Sequence, residues 1–224
     1  MKRFTSLILA VVMVLSLQIA YVNASEILPQ EKDYSDKFVE MISDVYTGGL
    51  SAVKIIGHDG KDITQSFMEN TIEYYRMNDW EAIHGIFAEE ADYMVRETVE
   101  DVSAVQSERA SNIAQTHYHE YMKTIYPVSG QSADGKTGRD LYFKSRAVIY
   151  FNENTGLISS TSGPYISEIS IAPGENDYSV VSQTGKIASN KRSAAFSITL
   201  HIWFSDWIYI DYGNITDSFT VYPQ

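Results

Sequence analysis

The stretch from Ser193 to Gly213 constrains this chain more than any other. It is dense in β-branched and aromatic residues and alternates with the two-residue period of a strand or a hairpin. If residues 199–212 form one unbroken strand, His201, Trp203, Trp207, Tyr209 and Asp211 share a face. Ile202, Phe204, Ile208 and Ile210 then share the other. A turn at Ser205-Asp206 would instead make Trp203 and Trp207 the two ends of a hairpin. Both readings stay open at this stage, and both put a β core in the last third of the chain.

The residues before it continue the β pattern back to His117. Extended runs at 117–128, 141–151, 157–160, 165–172, 178–187 and 215–222 are separated by turn-forming clusters such as Asn152–Gly156, Pro173-Gly174 and Asn190-Lys191. Many short strands at turn-limited spacing indicate an antiparallel sandwich or barrel. N-terminal to this the period changes. Phe38, Met41, Ile42 and Val45 have the i, i+3, i+4, i+7 spacing of a helix, with Gly48-Gly49 as its stop. A strand over 50–57 and a turn at His58–Gly60 follow. Next comes a helix–turn–helix over about 64–97, with Asn78 and Glu81 at capping-box spacing and Phe87, Ala91 and Met94 on one face. Residues 98–116 fit a polar helix, an edge strand or a linker equally well. The expected fold is α+β: an N-terminal helical region (35–116) packed on a C-terminal antiparallel β-sandwich (117–224).

The first 24 residues read as a leader rather than as structure. Lys2 and Arg3 precede the apolar run from Leu7, and Val22-Asn23-Ala24 is a small-residue cleavage site that leaves Ser25 as the mature N-terminus. Residues 25–34 are a polar, flexible start. The chain has no cysteine, which rules out disulfides and thiol chemistry and fits an exported bacterial protein. It carries 29 acidic against 17 basic residues, and losing Lys2 and Arg3 makes the balance more negative still. Such a surface repels phosphate backbones and anionic headgroups, so neither nucleic acid nor stable membrane insertion after cleavage is expected.

Chemistry-bearing motifs are few. His117 and His119, two apart in a strand, would face the same side and could share a zinc ion, although no third ligand follows at a known spacing. The bland reading makes them surface histidines. Loops at His58–Asp62 and Asp134–Gly138 lack phosphate-loop and EF-hand spacing, so calcium held by backbone oxygens is their only metal reading. Glu89, Glu90, Asp92, Glu97, Glu100 and Asp101 read as a solvated acidic face. His84 and His201 read as satisfied core histidines, and no Gly-x-Ser-x-Gly elbow is present. The expectation is therefore an exported, non-catalytic protein without a cofactor. It would bind an extracellular glycan or protein ligand through Trp203, Trp207 and Tyr209. The alternative is a secreted hydrolase using carboxylates or a His117/His119 metal site.

Overall fold

The computed structural model of the chain describes residues 34–48, 53–102, 112–128, 138–172, 177–205 and 209–224. The leader read over 1–24 and most of the polar start lie outside these residues. The described fold is mixed α/β, with three helices in its N-terminal part and two antiparallel sheets. The five-stranded sheet has the order β1-β2-β3-β4-β5, and the three-stranded sheet the order β6-β7-β8. No described helix is long and apolar enough to cross a membrane.

Helix α1 spans Asp36–Thr47. Ser35 caps it, its Oγ accepting from the Phe38 N–H at 3.1 Å, and Asp36 supplies negative charge to the first turn. All four periodic residues, Phe38, Met41, Ile42 and Val45, are fully buried. Gly48 ends the helix, as expected, by donating back to the Asp44 carbonyl. Helix α2, Thr64–Met77, begins where Asp62 Oδ1 accepts from both Thr64 N and Thr64 Oγ1.

Between α2 and α3 (Trp80–Glu90) the capping differs from the expected Asn78/Glu81 box. Asn78 takes the left-handed conformation (φ 55°) that closes α2, a role asparagine tolerates. Asp79 caps α3 instead, accepting from the Ala82 N–H at 3.1 Å. The helix also stops earlier than its periodicity suggests. Residues Ala91–Val102 form β2, not the end of a helix. Ala91 and Met94 are buried in the strand as they would have been in the helix. The helical spacing and the strand's inward positions coincide there, and pairing with β1 and β3 decides for the strand.

The remaining strands are β1 (Val53–Gly57), β3 (Asn112–Ile125), β4 (Arg139–Asn152), β5 (Leu157–Ala172), β6 (Asp177–Ile187), β7 (Ala194–Ser205) and β8 (Tyr209–Val221). Strand β5 is continuous through Gly163-Pro164, where two short strands were expected. Gly163 has φ +96°, and a side chain built on it would put Cβ 2.7 Å from the Arg146 carbonyl oxygen. Only glycine fits that close approach. Gly163→Ala should cost about 1–3 kcal/mol, read as a lower urea midpoint with an unchanged m-value.

Two kinds of core position the site. The helices close over one face of the five-stranded sheet. There Phe38, Phe67, Ile83 and Phe87 cluster with Ile55 and Met94, and with Met122 and Tyr142 from β3 and β4. On the opposite face, odd-numbered β3 residues and their neighbours meet the three-stranded sheet: Tyr121, Leu141 and Phe143 cluster with Ile198, Leu200 and Ile202. Ala147, Ile149 and Phe151 cluster likewise with Ala194, Phe196 and Phe219.

The Ser193–Gly213 stretch resolves as two strands. Strand β7 pairs antiparallel with β8, and Ser205 lies opposite Tyr209, so the chain reverses between them. Trp207 lies outside the described residues.

Candidate functional site

Because β3 alternates faces, His117 and His119 do point the same way, toward the three-stranded sheet. Neither is a surface histidine; both are buried. Each is also engaged separately. The His117 ring lies 3.2 Å from Gln115 Oε1, and burial pushes its pKa below the ordinary histidine value. The His119 Nδ1–H donates to Asp217 Oδ2 on β8 at 2.8 Å, and its ring lies flat on Phe219 (centroids 4.5 Å, 5° between planes). No group of three or more metal-ligating side chains gathers among the described residues.

Burial makes the folded state favour the neutral His117 ring, while the unfolded chain protonates it near pH 6.5. The unfolded state therefore binds more protons below that pH, and stability falls as pH drops through it. Urea midpoints at about pH 7.5 and 5.5 should show that loss, and His117→Gln should remove part of it.

A cleft of about 570 Å³ opens between the first strands of the five-stranded sheet and the three-stranded sheet. Lys54, Tyr93, Glu97, His119 and Asp217 line it, with Thr184, Lys186, Ser197 and Ser218 from the three-stranded sheet. Lys54, Lys186 and Glu97 make no ion pair among the described residues. Burial, with Asp217 nearby, raises the pKa of both Tyr93 and Tyr121, whose rings stack at 5.2 Å. Both phenols are therefore neutral hydrogen-bond donors at physiological pH.

The cleft continues onto the outer face of the three-stranded sheet. Strand β7 buries Ala194, Phe196, Ile198, Leu200 and Ile202, so Ser197, Thr199, His201 and Trp203 point outward. Their partners on β8 are hydrophilic too. Ser218 Oγ donates to Ser197 Oγ at 2.8 Å, the Thr199 and Thr216 hydroxyls meet at 2.9 Å, and His201 Nδ1 meets Asn214 Oδ1 at 3.0 Å. His201 is thus a half-exposed member of this face, not a core residue. At the far end Trp203 lies opposite Asp211, and Tyr209 lies opposite Ser205. Cross-strand partners share a side, which makes Trp203 and Tyr209 diagonal neighbours on this face. Tyr209 is 55% exposed, and Trp203 tilts against His201 at 5.4 Å between centroids.

Of the other candidate residues, His84 is the satisfied core histidine that was expected, with Nε2 2.8 Å from buried Asp140. The His58–Asp62 segment is a turn closed by Asp59 on Lys61 N, with Gly60 at φ +78°. Most of the Asp134–Gly138 loop lies outside the described residues. Of the acidic cluster, Glu97 reaches the cleft. Sequence reasoning missed Asp217 and Asp140. Asp217 shares its parity with buried Phe219 and Val221, and a charge at an inward position of an alternating strand was the available signal.

No family model, curated protein or solved structure matches the chain.

Proposed function

We propose that the protein is an exported binding protein whose ligand is a polyhydroxylated glycan, held along the outer face of β6-β7-β8 from the cleft to Trp203 and Tyr209. The carrying observation is the run of outward hydroxyl, amide and imidazole pairs that links a cleft with unpaired charges to an aromatic end. From Ala195 to Trp203 this run spans about 26 Å at the rise of an extended strand. Hydroxyls and amides can exchange hydrogen bonds with sugar hydroxyls, and aromatic faces stack on sugar C–H surfaces. The joint clusters of Tyr121 and Phe143 with Ile198 and Leu200 support reading the two sheets as a sandwich. The leader-like segment at 1–24, the missing cysteines and the acidic surface support export and an extracellular place of work.

A glycan array probed with the mature protein tests this. Binding to at least one glycan class is expected, weakened about tenfold in Trp203→Ala by loss of roughly 1 kcal/mol or more of stacking. Tyr209→Ala should act in the same direction. Absence of binding to every glycan, or binding unchanged in both variants, removes the reading. A competing secreted hydrolase reading gains no support from the acidic cluster, but the cleft itself holds a group suited to proton transfer.

A further inference from the structure

We propose that the cleft hydrolyses an O-acyl ester carried by its ligand, with His119 as the base that activates water. The geometry of His119 carries this. Its Nδ1–H is committed to Asp217 Oδ2, which fixes the tautomer and leaves the lone pair on Nε2. Asp217 and the flat Phe219 ring clamp the imidazole from two directions. Nε2 has no hydrogen-bond partner among the described residues. The ring lines the cleft beside Asp217 and Phe219, and Nε2 is its nitrogen left for a ligand there.

Water is the nucleophile, not serine. Ser145 sits directly across from His119 on β4 and on the same face, which completes the residue types of a Ser-His-Asp set. Yet Ser145 is fully buried and its Oγ makes no hydrogen bond to the imidazole or to any other group. Substrate cannot reach it. In the proposed step the water oxygen bonds to the acyl carbon while Nε2 takes the water proton. The tetrahedral oxyanion then collapses, the ester C–O bond breaks, and the imidazolium returns the proton to the leaving alkoxide. Ester and water give acid and alcohol. The unpaired Lys54 ammonium in the same cleft would offset charge on the oxyanion. Asp217 is a positioning residue. The substrate class, an acylated glycan, rests on the glycan reading above, whereas the proton transfer rests on the cleft alone.

Turnover of p-nitrophenyl acetate and of glucose penta-acetate by the mature protein is the test. Wild type should exceed an equal concentration of free imidazole on at least one probe. His119→Ala should lose at least about a hundredfold, and added imidazole should restore part of the loss. Asp217→Asn should lower kcat with KM nearly unchanged. His119→Gln, checked for folding by its circular dichroism melt, serves if the alanine variant does not fold. Wild-type turnover no better than imidazole, or full activity in a folded His119→Gln, overturns the proposal. Glycan binding without turnover removes only this inference. Turnover of p-nitrophenyl acetate without glycan binding removes only the glycan reading.

Discussion

Asp140→Ala should be the most damaging single substitution in the described fold, lowering the unfolding free energy by about 3–5 kcal/mol. Asp140 is 1% exposed and serves three elements at once. Its Oδ2 accepts from the Ser35 N–H at 2.7 Å, at the start of α1. Its Oδ1 lies 2.8 Å from His84 Nε2 on α3 and 3.2 Å from Thr124 Oγ1 on β3. A carboxylate beside a helix N-terminus is also favoured by the helix dipole. Alanine leaves a buried backbone N–H, an imidazole and a hydroxyl without their partner, and an unsatisfied buried donor loses its full solvation. For a domain of this size the melting temperature should fall by roughly 6–20 °C. Asp140→Asn keeps one acceptor oxygen and should cost less. Adding His84→Leu and Thr124→Val to Asp140→Ala should recover part of the stability, because two of the three orphaned groups are removed with their acceptor and only the Ser35 N–H is left. A thermal melt of these variants decides the matter, and a loss below about 1 kcal/mol in Asp140→Ala would refute the role.

The second large effect should come from Arg96→Ala, at about 3 kcal/mol. Glu120 is only 3% exposed, on the helix side of β3, and Arg96 Nε donates to its Oε2 at 3.0 Å, reinforced by Nη2. Lys144 Nζ stands 3.3 Å from its other oxygen. Arg96 also reaches Asp44 and Glu40 on α1, so one guanidinium ties the helix to the sheet. Its bond to Glu40, against some opposing burial, holds that carboxyl below its ordinary value. The pair is asymmetric. Removing Arg96 leaves the buried Glu120 carboxylate with Lys144 as its one remaining cation partner among the described residues, whereas Glu40→Ala removes a carboxylate whose side chain is 46% exposed and should cost no more than about 1 kcal/mol. Equal losses in the two variants would contradict this. Since the Glu40 pKa is lowered on folding, its contribution is present above pH 4.5 and fades as pH falls below that value.

These two networks mark the limit of what the sequence makes legible. Local periodicity found α1 through Phe38, Met41, Ile42 and Val45, and found the exposed and buried faces of β7 through its alternation. It put His117 and His119 on one face for the right reason. It misjudged 91–97 because a strand and a helix can bury the same residues there. It could not pair His119 with Asp217, 98 residues away, or His84 with Asp140, 56 residues away. Those partners are chosen by how α3 and β8 pack on the five-stranded sheet, over distances in sequence that local periodicity does not reach. What was legible is that Asp217 breaks the alternation of its strand, because a carboxylate at an inward position needs a partner. The Ser205–Tyr209 reversal was likewise one of two readings until pairing fixed it. That reversal preserved the shared face of Trp203 and Tyr209 by a route different from the unbroken strand.

The proposal that the outer face of β6-β7-β8 holds a glycan is tested most directly by tryptophan fluorescence. Trp80 packs in the helical cluster against Tyr75, so Trp80→Phe confines the signal to Trp203 and Trp207. Titrating that variant with soluble neutral polysaccharides (xylan, mannan and β-glucan) should give a saturable blue shift with at least one of them, lost on adding Trp203→Ala. Emission that stays constant across all of them, or a shift that persists without Trp203, would contradict the account.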